Sequence, residues 1–141
     1  MQNIHLYLDI TFFSILGLMG FLAIWITLER LFLYRRLDVK AFNHIELLNI
    51  EITKNLTTLS TIGANAPYVG LLGTVIGILI TFYEIGQQDS LETSVIMTGL
   101  ALALKLTAAG IAVAIPALMA YNGLLRRVEV LQAHYKVHQD Q

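Results

Sequence analysis

No cysteine occurs anywhere in the sequence, which excludes disulfides, thiolate nucleophiles and cysteine-built zinc or iron–sulfur sites. Charge is sparse as well. Acidic and basic side chains make up 13% of the residues, the net charge is −1, and no long basic run exists, so the chain offers no electrostatic footprint for nucleic acid. Only two prolines are present, and neither a Gly/Ser/Pro-rich linker nor an internal repeat divides the chain, so a single domain over residues 1–141 is expected. There is no G-x-S-x-G, no phosphate-cradling glycine loop and no pair of carboxylates within the apolar runs, which argues against an enzyme and against a bound cofactor. His134 and His138 stand one helical turn apart, but two histidines on a tail read as a solvated face, and no metal centre is expected. The N-terminal stretch MQNIHLYLD has no Lys or Arg ahead of the first apolar run. It is therefore a poor secretory signal, and the first apolar helix is expected to stay.

What is abundant is apolar surface. Hydrophobic residues are 56% of the chain and the mean hydropathy is +0.66, outside the usual soluble range. A membrane-spanning helix needs about 20 mostly apolar residues, and Ile10–Leu28, Ile62–Tyr83 and Thr93–Leu125 each supply them. The expected architecture is an all-α integral membrane protein of three transmembrane helices, its apolar faces turned to lipid. Arg30, Arg35, Arg36, Lys40 and Lys54 fall between the first two runs, and Arg126, Arg127 and Lys136 follow the third. Because basic flanks stay on the cytoplasmic side, residues 29–61 and 126–141 are expected inside. The N-terminus and the acidic loop EIGQQDSLE are expected outside. Phe12, Phe13 and Tyr83 toward the outer boundary, and Trp25, Tyr34, Tyr68 and Tyr121 toward the inner one, agree with that orientation.

Between the first two runs, Ile45, Leu48, Ile52, Leu56 and Leu59 recur at helical spacing, which predicts one amphipathic helix. Leu124, Val128, Leu131 and Tyr135 continue the third run in the same manner. The spanning helices are expected to extend into the cytoplasm and pack together there, the alternative being that these stripes lie flat on the membrane surface.

At 100° per residue, Gly63, Ala66, Pro67, Gly70, Gly73, Thr74, Gly77 and Thr81 share one side of the second run. Helices in lipid associate through close backbone approach, which small residues permit. The third run carries two small stripes, one of Gly99, Ala103, Thr107, Gly110, Ala114 and Ala117, the other of Ala101, Lys105, Ala108, Ala109 and Ala112. Two stripes suggest two close neighbours, for instance one in the same subunit and one in the next, as in a ring. Tight packing within a single three-helix bundle is the alternative. Pro67 and Pro116 are expected to kink their helices.

At about 1.5 Å per residue, Thr74 lies roughly 14 Å inward from Tyr83, while Lys105 and Thr107 lie roughly 18 to 21 Å inward from Thr93. All three approach the middle of the bilayer. The threonine hydroxyls either line a polar seam between helices or bond to their own helix one turn back. An ionised lysine at that depth costs about 2.5 to 3.5 kcal/mol or more, and the spans hold no carboxylate to pair with Lys105. Glu29 and Glu84 stand at opposite span ends. Lys105 is therefore neutral, or snorkels, or takes its countercharge from another chain, and the last is the expectation.

Three stretches, AIWITLERLFLYRR, NAPYVGLLGTVIGILITF and GLALALKLTAAGIAVAIPALMAYN, resemble the MotA/TolQ/ExbB proton channel family, and within it the three-span ExbB/TolQ branch more than the four-span MotA one. The resemblance implies a homopentamer in the bacterial inner membrane whose second and third helices line a pore, with Thr74 and Thr107 at the positions of the family's pore threonines. It also implies an ExbD-like or TolR-like single-span partner in that pore, whose aspartate carries the protons and offers a counterion for Lys105. A TonB-like or TolA-like protein would transmit the resulting motion to the outer membrane. ExbB-type service in TonB-dependent transport leads; TolQ-like service, or a non-conducting scaffold for a partner, are the alternatives. The chain departs from the family pattern in having Leu102 where a glutamate is common, and in its short segment between the first two spans.

Overall fold

The computed structural model describes residues 2–87 and 92–141, and these are helical nearly throughout. Helix α1 spans Gln2–Arg36, a single 3-10 turn covers Val39–Ala41, α2 spans Ile45–Thr53, α3 Leu56–Gly86 and α4 Thr93–Asp140. Three helices are long and apolar enough to cross a membrane. Each runs past the apolar stretch that identifies it: α1 begins eight residues earlier than Ile10, and α4 continues to Asp140 without interruption. Much of the connecting loop, residues 88–91 with its Asp89, lies outside the described residues.

The expected single helix over Ile45–Leu59 is two helices. Asn55 takes a left-handed conformation, φ 68°, which Asn tolerates better than most side chains, and the chain turns there from α2 into α3. The ending of α2 is set by α1. Arg30 Nη1 donates to the Glu51 carbonyl at 2.7 Å, and the Tyr34 hydroxyl donates to the Ile52 carbonyl. Arg30 and Tyr34 are one turn apart on α1, so together they take up the C-terminal carbonyls of α2 that the helix itself leaves unpaired, and a cation is favoured there. Arg30 is only 1% exposed; it also donates to Glu29, through Nε at 2.5 Å and through Nη2. The guanidinium holds the Glu29 carboxyl below the ordinary carboxylate range, and Lys54 adds to this. The reciprocal bond raises Arg30, while burial pushes the Tyr34 phenol up.

Despite the break, the amphipathic stripe does pack inward. Leu48, Ile52, Leu56 and Leu59 are buried with Tyr34, Leu124, Val128 and Tyr135 in one cluster, and the Gln132 side chain donates to Asn49 Oδ1 at 2.8 Å beside it. A surface-lying α2 would expose this stripe, so that alternative is set aside. Beyond this cluster the chain alone leaves large apolar side chains open: Leu18, Phe21, Trp25, Leu79 and Met119 are all more than half exposed. These faces suit lipid or other chains, not water.

Helices α3 and α4 share the most extensive contact in the chain. They touch backbone to backbone at Gly70 and Gly110: a Cβ on Gly110 would lie 2.6 Å from the Ala66 carbonyl and 3.0 Å from Gly70 Cα, and one on Gly70 would meet the Leu106 carbonyl. Gly73 admits the ends of Leu106 and Phe12, and Gly77 lies against Ala103. The small face of α3 is therefore buried along Gly63, Ala66, Gly70, Gly73, Thr74, Gly77 and Thr81.

Two expectations follow. Gly110→Val must push α3 and α4 apart at their contact, with an expected destabilisation of about 1–3 kcal/mol, read by denaturation in mild detergent; Gly123→Val, where a Cβ meets open space, should cost far less. Arg30→Met should cost about 2 kcal/mol, the value of a charged hydrogen bond to a buried carbonyl. Because Glu29 is held low in the folded chain, its contribution is complete at neutral pH and is lost as the pH falls through the acid range. The stability advantage of wild type over Glu29→Gln should therefore vanish on acidification.

Candidate functional site

Thr74 of α3 and Thr107 of α4 come together where the sequence places them at equal depth. Their hydroxyl oxygens are 2.5 Å apart, four residues beyond Gly70 and three before Gly110, so the glycine contact is what brings these two side chains within reach. Thr74 is buried, and its oxygen also lies 2.8 Å from the Ala103 carbonyl, 3.1 Å from the Thr107 backbone nitrogen and 3.2 Å from the Gly70 carbonyl.

Donor count fixes the direction of these bonds. A carbonyl can only accept, so the one proton of Thr74 goes to a carbonyl, with Ala103 the nearer. Thr74 then accepts from the Thr107 N–H and from the Thr107 hydroxyl. Thr74 is thus fully engaged inside the chain. Thr107 spends its proton on Thr74 but keeps lone pairs free, and it is only partly buried. A polar seam thus crosses between the helices, and the Gly70 carbonyl one turn back along α3 competes with Ala103 for the same proton. Thr81 repeats the backbonding two turns on, at 2.9 Å to the Gly77 carbonyl.

The two small stripes of α4 part company in the structure. Ala103, Gly110, Ala114 and Ala117 of the first are buried and Gly99 and Thr107 half-buried, all spent on contacts within the chain. Ala101, Lys105, Ala108 and Ala112 of the second are exposed, with Ala109 at its edge. Lys105 makes no hydrogen bond or ion pair among the described residues. It stands on the open stripe, two residues from Thr107 and turned away from α3.

Pro67 and Pro116 both lie inside helices that continue on either side. Each leaves the carbonyl one turn back, Gly63 and Ala112, without its backbone donor. Pro116 and Ala112 border an apolar groove of about 390 Å³ between α4 and α1, where Gly20, Ala23 and Thr27 face them.

The sequence gives no signal for two groupings. One is the Arg30–Tyr34 clasp on α2. The other joins His5 of α1 to Glu84 of α3, Nε2 to Oε2 at 3.1 Å, at the end of the bundle where α3 finishes. Both link groups distant in the chain, side chain to backbone carbonyl in the first and side chain to side chain in the second, and neither follows from periodicity.

Residues 30–137 match the MotA/TolQ/ExbB proton channel family. The chain is 50% identical over 131 residues to the biopolymer transport protein ExbB of Helicobacter pylori strain J99, covering 93% of this chain and 90% of that one. It is 46% identical over 128 residues to the protein of the same name from Aquifex aeolicus, covering 91% and 86%. The Tol-Pal system protein TolQ of Pseudomonas aeruginosa is 37% identical over 91 residues, covering 64% of this chain and 39% of TolQ. With three helices long and apolar enough to cross a membrane and the family match extending over most of its length, the chain belongs to the MotA/TolQ/ExbB proton channel family.

Proposed function

We propose that this chain is the proton-channel subunit of an ExbB-type complex in the bacterial inner membrane, with its N-terminus periplasmic and its C-terminus cytoplasmic. The complex uses the proton motive force to energise TonB-dependent transport across the outer membrane. Copies of the chain form a ring, a homopentamer, around an ExbD-like single-span partner, and a TonB-like protein receives the motion. ExbB-type service is preferred to TolQ-type because ExbB relatives match nearly the whole chain, whereas the TolQ match covers 39% of that protein.

The observation that carries the reading is the division of labour on α4. Its first stripe is consumed by α3, while its second stays open at the same depth and bears Lys105, a cation with no partner among the described residues. Small exposed residues at membrane depth favour another helix over lipid, and a charge there calls for a countercharge. A carboxylate on a second chain supplies both. An opposite charge nearby lowers a carboxyl pKa, so Lys105 attracts the partner's deprotonated carboxylate and releases it once protonated, and proton transfer is coupled to movement of the subunits around the partner. Thr107, with spare lone pairs beside this face, gives the same partner a neutral acceptor.

Native mass measurement of the co-purified complex should show several copies of this chain with the partner, five in the expected assembly; monomers alone in mild detergent would contradict the ring. At matched membrane levels, Lys105→Met should assemble but uncouple proton-driven uptake, and Lys105→Arg should retain part of it. Wild-type uptake in Lys105→Met would remove the charge from the mechanism. Thr74→Val should lower stability by about 1–2 kcal/mol, the value of a buried hydroxyl's bonds, and together with Thr107→Val should reduce proton flux while the ring persists. Unchanged flux in both would reduce the seam to a structural tie.

A further inference from the structure

Glu84 is an acidic side chain that the reading above does not use. It lies ten residues beyond Thr74 on α3 and shares its face: positions 74, 77, 81 and 84 follow at steps of three and four, which keeps Thr74, Thr81 and Glu84 in one line along the helix. At about 1.5 Å per residue the carboxylate is roughly 15 Å from the Thr74–Thr107 pair, at the end of the bundle expected to face the periplasm. It is not a solvated surface group. Its side chain is 21% exposed, one oxygen meets His5 Nε2 at 3.1 Å, and the other, Oε1, is buried without a hydrogen-bond partner among the described residues.

Around the pair is a cavity of about 210 Å³ between α1, α3 and α4, whose polar lining is His5, Glu84, Thr81 and Thr98. Both threonine hydroxyls donate backward to their own helices, Thr81 to the Gly77 carbonyl and Thr98 to the Ser94 carbonyl at 2.8 Å. Their remaining capacity toward the cavity is therefore to accept. Glu84 Oε1 thus carries carboxylate charge in a buried place with no hydrogen-bond donor among the described residues, and a proton on it removes that uncompensated charge. Among the described residues, the other titratable groups at this end are Tyr7 and Asp9 on α1, the first exposed and the second one turn beyond His5, exposed Tyr83 on α3, and exposed Glu92 at the start of α4. The rest of the lining, Ile85, Val95, Gly99 and Leu102, cannot titrate.

We propose that Glu84, oriented by His5, is a proton-binding group of this chain at the outer end of the α3–α4 seam, where it takes up the proton from the periplasmic side before that proton is passed toward mid-membrane. The inference rests on the proton-channel reading and gives it an entry point carried by the ring subunit itself. Uptake moves a proton from periplasmic water to the Glu84 carboxylate, and release passes it through water to the partner's membrane carboxylate, leaving Glu84 ionised and bonded to His5. His5 is a positioning residue, since it touches the carboxylate and not the seam.

The test uses the complex with its partner, reconstituted in vesicles, with proton flux per assembled complex measured against the pH on the α3–α4 turn side. Glu84→Gln, which keeps size and removes the titrating oxygen, should cut flux about tenfold, less than the roughly hundredfold or greater loss usual for a proton-transferring side chain at a reaction centre, and flatten its dependence on that pH. Glu84→Asp should restore part of the flux. His5→Gln leaves the carboxylate in place and should displace the pH profile while maximal flux persists, so it supplies a reading even if Glu84→Gln assembles poorly. Full flux and an unshifted profile in Glu84→Gln would overturn the proposal and leave the pair as a tie between α1 and α3, as would an unshifted profile in His5→Gln. If Thr74→Val and Lys105→Met block flux while Glu84→Gln does not, this inference alone fails. If the wild-type complex carries no protons, the channel reading fails and takes this one with it.

Discussion

Everything in the membrane-depth part of this chain hangs on the contact of two backbones at Gly70 and Gly110. In lipid, the hydrophobic effect does little to hold one helix against another, so α3 and α4 adhere by dispersion and by whatever polar bonds close approach allows. With no side chain between them at the crossing, the Thr74 hydroxyl reaches across to the Ala103 carbonyl and the Thr107 N–H. A Cβ at either glycine would collide with backbone, which cannot swing aside as a side chain can. The polar pair is thus a consequence of the glycine pair, and its position along the helices follows from theirs.

A second constraint acts at the far end of the bundle, where α2 must stop so that α3 can begin at a new angle. The left-handed Asn55 makes the turn, but Arg30 and Tyr34 define where α2 stops by taking its last carbonyls. The cluster of Leu48, Ile52, Leu59, Leu124 and Val128 then fixes the extended ends of α3 and α4 relative to α1. The spanning helices are consequently anchored by an ordinary apolar core on one side and by glycine contacts on the other.

The three long helices and the small face of α3 were legible from composition because lipid imposes simple demands: about 20 apolar residues to cross, and small residues wherever helices touch. For the same reason the two stripes of α4 were legible in the spacing; the structure spends the first on contacts within the chain and leaves the second exposed. The break at Asn55 was not, because the hydrophobic spacing runs straight through it and the groups that end α2 come from residues 30 and 34. The His5–Glu84 pair escaped likewise, since its partners are 79 positions apart and each taken singly is an unremarkable polar residue near a span end. Periodicity reports which face of a helix is buried; it carries no information on which distant side chain will meet a given carbonyl or carboxylate.

On the proposed function, Lys105, exposed on the open stripe of α4, meets a carboxylate supplied by a different chain inside the membrane. A zero-length carbodiimide, soluble in the bilayer, joins a lysine amine to a carboxylate only when the two are in contact, and so reports that meeting itself. Treatment of the intact complex followed by peptide mass analysis should yield a cross-link between Lys105 and the membrane carboxylate of the single-span partner, absent from Lys105→Met. An intact, partner-containing complex in which Lys105 forms no such link, or links only to another copy of this chain, would contradict the account.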